Sequence, residues 1–278
     1  MIFFIGWRGF KGASNKAVKE DEPQHSSIGP VTPNLLKVLK IKTVILDEKK
    51  YKKQISGAVI YAKKNSRAIA FLVKRRLVKM YEPKKTKKIK TKFKRIDFLK
   101  SLFQIKNKND ILVGTTGYSA REIYALTENT TKNHSKTFYS VGAMGHASQI
   151  SAELAYFSKI KSRVLMIDGD GAAFMHLGSI PMIGKLKKIN LVHIIVNNQT
   201  HESTGNHNTS NKNFSFKKMF EISGYDQSYV VKNPKDFKKI IQRHKKGKIG
   251  IEILVNSGTL GELPRQKQPY ILKKIFKF

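Results

Sequence analysis

The chain has 278 residues, of which 40% are apolar and 10% aromatic, so it can bury one large core or two ordinary ones. The absence of cysteine excludes disulfides, thiolate metal sites and cysteine nucleophiles. No apolar run approaches the ~18 residues of a membrane-spanning helix, and the opening run over residues 1–5 lacks the basic start of a signal peptide. We therefore expect a soluble, cytoplasmic protein.

The formal net charge is +35, from 54 Lys and Arg against 19 Asp and Glu. Such a charge is typical of proteins that bind nucleic acid or an anionic surface. Here, however, lysine predominates and is spread over nearly every segment, whereas the arginine forks that favour phosphate recognition are few. A general drift in composition toward Lys, Ile and Asn explains the charge better. We therefore do not expect a nucleic-acid partner, although the positive field attracts small anions in either case.

The first part of the chain alternates between strand, loop and helix patterns. The apolar run over residues 1–5 stops at Gly6 and predicts a buried strand. Residues 9–33 are rich in Gly, Pro, Ser and charge and predict a long loop. After this loop we expect a helix over residues 34–40, a strand over 43–46, a helix over 49–63 and a strand over 68–73. Because the sequence starts inside an apolar strand, we expect neighbouring strands to be missing or to come from another polypeptide.

Residues 74–95 carry many lysines, have Pro83 in their middle and show no apolar period, which predicts an extended linker. Helix and strand patterns alternate again beyond it. We expect strands over residues 111–114, 138–141, 164–167, 191–196, 228–231 and 249–255, and helices from 119, from 147, and over 173–185, 217–223 and 234–245. This alternation predicts βαβ units and a mostly parallel sheet with helices on both faces.

The stretch that carries chemistry is the strand over residues 164–167, which runs into Gly169-Asp170-Gly171 and then a helix. Free backbone N–H groups and a carboxylate then lie at the carboxyl end of the sheet, where open α/β folds bind ligands. The next strand ends in Asn197-Asn198, which places an amide oxygen at the same edge. Hard oxygen ligands suit Mg²⁺ held between protein and diphosphate, and do not suit zinc.

Gly-Asp-Gly followed at this spacing by Asn-Asn resembles the cofactor-binding motif of thiamine diphosphate enzymes. The surrounding segments are similar, in order, to the phosphonopyruvate decarboxylase family, with sulfopyruvate decarboxylase as a close sister; they cover residues 115–124, 141–148, 169–179 and 197–203. Further similarity extends over residues 5–9, 21–25 and 263–265, so the resemblance covers essentially the whole chain.

The resemblance implies an α/β fold with a truncated pyrimidine-binding domain over residues 1–74. A Lys-rich linker over residues 75–96 and a complete, Rossmann-like diphosphate-binding domain over 97–278 follow. The implied activity is thiamine diphosphate- and Mg²⁺-dependent decarboxylation of a three-carbon 2-oxo acid with an acidic group on C3. Phosphonopyruvate, which would give phosphonoacetaldehyde and CO2, is the first choice, and sulfopyruvate is the alternative. In family members the cofactor lies between two subunits, which implies a homodimer or a homotetramer.

The resemblance also implies roles for individual residues. Asp170 and Asn198 would bind Mg²⁺ through side chains and Thr200 through its carbonyl. Met144 would be the apolar wedge that keeps the cofactor folded, and the carbonyl of Gly142 would accept a hydrogen bond from the aminopyrimidine. The other predicted cofactor contacts, which include the backbone N–H groups of Gly171 and Ala172, are Thr115, Thr116, Gly169, Gly171, Ala172 and Ser203.

Several histidines and one arginine are candidates for contact with the substrate. His25, His146 and His201 lie in turns that match family motifs, so each is a candidate acid, base or anion contact. Arg8 either pairs with the acidic group of the substrate or covers Trp7. We expect His193 to be a core residue and His176 to lie on a helix face.

One family residue has no counterpart in this sequence. The glutamate that hydrogen-bonds the pyrimidine N1′ lies upstream of the segment matched by residues 5–9. We therefore expect a fragment, a chain with a mis-assigned start, or one part of a split enzyme whose partner chain supplies the missing segment. Alone, it would be a poor catalyst or an inactive cofactor-binding fragment.

Overall fold

The structure is a computed structural model that describes residues 1–9, 25–75, 77–78, 89, 91–158, 162–209, 213–267 and 269–277. Contacts divide the chain into two compact units, Met1–Glu82 and Pro83–Phe278. Within the described residues, no helix combines the length and the apolar character needed to cross a membrane.

The first unit is built on a parallel sheet in the order β1-β3-β2, formed by β1 (Ile2–Trp7), β2 (Lys42–Ile45) and β3 (Ile69–Lys74). The same unit contains the helices α1 (His25–Val38) and α2 (Tyr51–Asn65). The central strand β3 reads as a nearly continuous apolar run, which is typical of a strand covered on both faces. Its side chains alternate between two small cores: Ala70 and Leu72 contribute to one, and Ile69 and Phe71 to the other.

Helix α1 corrects the loop predicted over residues 9–33. It begins at His25 rather than at residue 34, and Pro30 and Pro33 lie inside it. Because Pro33 has no backbone N–H, the Gly29 carbonyl lacks its helical donor, and the Trp7 indole N–H donates to this carbonyl at 2.7 Å instead. The sequence predicts a loop here because prolines remove helical hydrogen bonds, and a tertiary hydrogen bond from Trp7 replaces one of them. The rest of that predicted loop, residues 10–24, lies outside the described residues.

The second unit holds a parallel sheet in the order β10-β11-β7-β6-β4-β5. Its strands are β4 (Ile111–Gly114), β5 (Thr137–Tyr139), β6 (Val164–Gly169), β7 (Leu191–Asn197), β10 (Gln227–Val231) and β11 (Lys248–Leu254). A separate antiparallel pair joins β8 (Thr200–His201) to β9 (His207–Asn208). The predicted α/β fold with mostly parallel sheets is therefore confirmed.

The helices of the second unit are α3 (Arg95–Ile105), α4 (Tyr118–Asn129), α5 (Ala147–Phe157), α6 (Asp170–Met175), α7 (Ser179–Lys185), α8 (Phe216–Ile222), α9 (Pro234–Arg243) and α10 (Pro269–Ile275). The central strands β6 and β7 divide their side chains between two buried clusters. Leu165 and Ile167 contribute to one cluster, while Val164 and Met166 contribute to the other. Both faces of the sheet are therefore covered, and ligand access is left to the ends of the strands.

Several predicted boundaries in the second unit are wrong. The single helix expected over residues 173–185 is two helices, α6 and α7, and α6 begins at Asp170 inside the Gly-Asp-Gly motif. Strand β5 ends at Tyr139 instead of residue 141. The sequence reading also missed α3, α10 and the β8–β9 pair.

The predicted linker over residues 75–96 lies partly outside the described residues, and its last residues belong to the packed structure of the second unit. The Phe93 carbonyl accepts a hydrogen bond from the Asn256 N–H, and Arg95 begins α3. The boundaries 1–74, 75–96 and 97–278 otherwise remain a prediction.

Candidate cofactor and metal site

The candidate site lies at the carboxyl edge of the second sheet, where β6 and β7 run side by side. Gly169 ends β6 and pairs in register with Val196 of β7, so the chain beyond each strand emerges at the same edge. One cleft collects residues from both ends and from neighbouring segments. It is lined by Arg95, Thr115, Thr116, Tyr118, Ser119, Met144, Gly169, Asp170, Gly171, Ala172, Val196, Asn198, Thr200, His201, Glu202 and Ser203.

Asp170 is the acidic centre of this cleft. Its residue is only 3% exposed, and burial raises the pKa of its carboxyl to about 6, although hydrogen bonds from Thr209 and from the Gly171 and Gln199 backbone oppose the shift. The Thr209 hydroxyl donates to Oδ2 at 2.6 Å. No Lys, Arg or His side chain in the described part of the chain forms an ion pair with Asp170. A buried carboxylate with neutral neighbours suits a divalent cation.

The polar groups that could complete a metal site are oxygens of the turn after β7. Asn198 is buried, and its Oδ1 accepts the Thr200 N–H at 3.0 Å, which leaves one lone pair of that oxygen for another partner. Across the described segments, no three His, Cys, Asp or Glu side chains gather as a self-sufficient metal cage. One carboxylate and neutral oxygens suit Mg²⁺, which takes further ligands from substrate phosphates and water. The residues present therefore fit Mg²⁺ bound together with a diphosphate.

The turn at Gly171 is closely covered by a histidine. A Cβ at this position would collide with the His201 imidazole, so glycine is needed for the observed packing. His201 therefore lies against the turn from which the Gly171 and Ala172 N–H groups are predicted to meet the diphosphate. An imidazole here can donate a hydrogen bond to an anion.

The turn after β4 offers an orphaned hydroxyl. Thr115 is 2% exposed, and its Oγ1 has no hydrogen-bond partner among the described residues. Thr116 instead donates from its hydroxyl to the Ser140 carbonyl at 2.7 Å. Gly117 follows with a positive φ of 109°, and a Cβ at this position would lie 3.2 Å from the Ser203 hydroxyl. An unsatisfied buried hydroxyl is costly, so the Thr115 group favours a bound polar ligand at this cleft.

The turn after β5 carries the predicted wedge. Gly142 and Gly145 both have positive φ, and Met144 between them is half-buried and lines the cleft. His146 and His176 are exposed and do not line it; their ring centroids are 4.3 Å apart. His176 lies just past the end of α6, which corrects the expectation that it lies on a helix face.

The remaining predicted residues divide between the two units. Gly142 is exposed and is absent from the cleft lining, whereas every other predicted cofactor or metal residue lines the cleft. His25 is the first residue of α1 in the first unit, which corrects its assignment to a turn. Arg8 belongs to the first unit as well.

Residues 113–253 match the thiamine pyrophosphate enzyme family over its C-terminal TPP-binding domain. This span includes the turns after β4, β5, β6 and β7 that form the cleft. The chain belongs to this family. Thiamine pyrophosphate, also called thiamine diphosphate, is thus the cofactor that the matched domain binds in the family.

Two proteins that are similar in sequence to this chain are decarboxylases by name. Sulfopyruvate decarboxylase subunit beta of Methanocaldococcus jannaschii is 34% identical over 134 residues, which cover 48% of this chain and 68% of the relative. Phosphonopyruvate decarboxylase of Streptomyces viridochromogenes is 27% identical over 244 residues, which cover 81% of this chain and 57% of the relative. The match thus spans little more than half the length of the second relative.

One solved structure has a fold similar to that of this chain. Benzoylformate decarboxylase of Polynucleobacter necessarius superposes with a TM-score of 0.50 and 16% sequence identity, covering 67% of this chain and 36% of that chain. At this identity the likeness concerns the fold alone.

Sequence reasoning missed a group of three charged residues, of which Arg95 and Glu202 line the cleft and Glu122 is buried behind it. Arg95 forms a fork with Glu122, in which Nε donates to Oε2 at 2.6 Å and Nη2 to Oε1 at 3.2 Å. Its Nη1 donates to Oε2 of Glu202 at 3.1 Å. The lysine-rich segment before Arg95 gave no reason to single out this arginine. Glu122, which lies directly before the apolar run over residues 123–126 of α4, was a usable signal for a buried ion pair.

Behind the site, the predicted core role of His193 is confirmed. His193 is fully buried, and its Nδ1 lies 2.9 Å from the Tyr225 hydroxyl. Burial, reinforced by the charge of Asp168, raises the pKa of Tyr225, so its hydroxyl stays protonated. These residues fix the strands beneath the cleft and do not line it.

Proposed function

We propose that this chain binds thiamine diphosphate through Mg²⁺ and decarboxylates a three-carbon 2-oxo acid with an acidic group on C3. The observation that carries the proposal is the convergence of Asp170, Asn198 and the orphaned Thr115 hydroxyl in one cleft of a family domain that binds this cofactor. Bound thiamine diphosphate would supply the electron sink that decarboxylation of a 2-oxo acid requires.

The residues of the chain divide this work between them. Asp170, Asn198 and the Thr200 carbonyl would hold Mg²⁺. The Gly171 and Ala172 N–H groups would donate to the diphosphate, assisted by polar groups of the neighbouring turns, which are Gly169, Thr115, Thr116 and Ser203. Met144 would support the folded cofactor, and the Gly142 carbonyl would accept a hydrogen bond from the aminopyrimidine.

The histidines are proposed to bind the substrate or to transfer protons to and from it. His201 lies in the cleft beside Gly171, so it can donate a hydrogen bond to an anion there. His146 and His25 are further candidates for proton transfer or for binding the acidic group. Substitution of each by Gln, followed by separate measurement of kcat and KM, distinguishes proton transfer from substrate binding.

Phosphonopyruvate is the first substrate to test. The similarity to a phosphonopyruvate decarboxylase extends over 81% of this chain and so includes part of the first unit. Sulfopyruvate is the alternative, since the sulfopyruvate relative has the higher identity over a shorter span. The test is CO2 release from each substrate by the purified chain with Mg²⁺ and thiamine diphosphate, with and without a partner chain. Absence of turnover on phosphonopyruvate in both arms contradicts the first choice.

A second polypeptide, either another copy or a partner subunit, is part of the proposal. The relative from Methanocaldococcus jannaschii is named as a β subunit. The first unit also exposes large apolar side chains on α1, where Ile28 is 59% and Val38 78% exposed, and on β1, where Phe4 is 59% exposed. Exposed apolar side chains of this kind are typical of surfaces that another chain covers. Measurement of the solution mass, alone and with candidate partners, tests this; a monomer that is fully active by itself contradicts it.

A further inference from the structure

The network of Arg95, Glu122 and Glu202 has no role in the function proposed above. Arg95 is 5% exposed, Glu122 is fully buried, and the Glu202 side chain is 12% exposed. The guanidinium therefore joins two carboxylates away from water. Such a network is costly to assemble, and removal of any one member leaves an uncompensated buried charge.

Arg95 keeps its charge within this network. Burial acts to lower the pKa of Arg95, but the charges and hydrogen bonds of Glu122 and then Glu202 outweigh it, and the pKa is raised. The fork to Glu122 fixes the plane of the guanidinium. Nη1 is thereby directed at Glu202, which lies at the edge of the metal cleft.

Glu202 in turn contacts a proposed metal ligand. Its Oε2 accepts hydrogen bonds from Nη1 of Arg95 and from Nδ2 of Asn198, each at 3.1 Å. Its Oε1 accepts the N–H of Gly258. The carboxylate is thus held at both oxygens, and its Oε2 is shared between the arginine and the amide.

This contact matters because the two ends of an amide side chain have nearly the same shape and opposite chemistry. Rotation of the Asn198 amide by half a turn would exchange Oδ1 for an NH2 group, which cannot ligate a cation. A carboxylate paired with a guanidinium accepts hydrogen bonds and donates none, so it binds Nδ2 and leaves Oδ1 on the other side.

We propose that Arg95 and Glu202 are positioning residues of the metal site. Arg95 fixes Glu202, and Glu202 fixes the Asn198 amide so that its oxygen is available to Mg²⁺. The inference rests on the proposed function, because it takes Asn198 as a ligand. Removal of such a partner of a metal ligand typically lowers metal affinity by about 10- to 100-fold.

The test is calorimetric titration of Mg²⁺ at a fixed concentration of thiamine diphosphate, which measures binding and needs no turnover. Glu202→Gln should raise the Mg²⁺ concentration required for cofactor binding by about 10- to 100-fold. Arg95→Lys, which keeps the charge and loses the fork, should shift it in the same direction. Glu153→Gln, on the exposed side of α5, is the matched control and should leave it unchanged.

A double-variant cycle separates positioning from a merely structural role. If Glu202 acts through Asn198, Glu202→Gln should add less than about twofold when Asn198 is already alanine, because the coupled losses are not additive. Fully additive losses, or an unchanged Mg²⁺ requirement in Glu202→Gln and Arg95→Lys, overturn this inference alone. Failure of the wild-type chain to bind thiamine diphosphate with Mg²⁺, both alone and with a partner chain, overturns the proposed function itself.

Discussion

The protonation state of one side chain, Asp170, controls whether the proposed site can bind a cation. Its carboxyl has a pKa of about 6 because it is buried among neutral groups. A raised carboxyl pKa means that this group's contribution to the stability of the metal-free fold is fully present below its ordinary pKa and is lost as the pH rises through about 6. A divalent cation reverses this balance, because it binds only the deprotonated form.

We therefore expect cofactor binding to be pH-dependent through this residue. Below pH 6, the apparent Mg²⁺ affinity should fall by about tenfold per pH unit, because protons compete for Asp170, and above pH 7 it should level off. Calorimetric Mg²⁺ titrations between pH 5 and pH 8 check this. Asp170→Asn provides the control, since it should flatten the pH profile at low affinity; a steep profile in that variant would assign the proton to another group.

Substitutions of the proposed ligands should be graded. Asp170→Ala should abolish Mg²⁺-dependent binding of thiamine diphosphate, because Asp170 is the sole carboxylate among the proposed ligands. Asn198→Ala should weaken it, and Lys87→Ala should leave it unchanged. Asp170→Ala also removes a buried carboxyl that has no ion-pair partner among the described residues, so the thermal stability of the metal-free protein should stay equal or rise. Equal calorimetric affinities in wild type and Asp170→Ala would refute the metal assignment.

At the scale of elements, α8 packs so closely on β11 that the strand needs a glycine at the point of contact. A Cβ at Gly250 would collide with the ring of Phe220, which is itself fully buried against Tyr225 and His193. This contact supports the strands directly below the site. The helix and the strand can approach this closely only while position 250 has no side chain.

Gly250→Ala should accordingly lower the free energy of unfolding by about 1–3 kcal/mol through overpacking. Gly178→Ala is the matched control, because a Cβ there meets open space. Phe220→Leu in the Gly250→Ala background should recover part of the loss by removing ring volume. Urea denaturation measures all four proteins, and equal destabilisation by both alanine substitutions would contradict the packing argument.

The elements that the sequence predicts well are those whose signal is local. Strands β6 and β7 are apolar runs that end in Gly-Asp-Gly and Asn-Asn, so both their positions and their common edge could be derived. Helix α1 could not be derived from its own sequence, because the hydrogen bond that Pro33 removes from the Gly29 carbonyl is replaced by one from the distant Trp7 indole. The pairing of Arg95 was equally out of reach, because its two partners lie 27 and 107 residues away in the sequence.

At the scale of the whole molecule, the charges are sorted by depth. Asp168, Asp170, Glu122 and Glu252 are buried in the second unit, whereas every lysine of the described residues except Lys248 is at least partly exposed. The surface of the protein is therefore more positive than the interior around the cleft. This surface charge attracts anions from a distance.

For the proposed anionic substrate, kcat/KM should fall as NaCl is raised from about 10 mM to 300 mM, because the Debye length shortens from about 30 Å to under 8 Å. The value of kcat should change little, since bound substrate no longer depends on long-range attraction. Potassium acetate at equal ionic strength is the control for a specific chloride effect. An increase of kcat/KM with salt would contradict attraction by the surface charge.

The bond between Trp7 and Gly29 has a spectroscopic consequence. Trp7 is the single tryptophan of the chain, it belongs to the first unit, and it is 6% exposed. Its emission should therefore shift to longer wavelength when β1 separates from α1 and water reaches the indole. Excitation at 295 nm selects tryptophan over tyrosine, so denaturation followed by fluorescence reports the first unit by itself. Circular dichroism reports the helices and strands of both units. The midpoint difference between the two curves measures how far the units unfold independently.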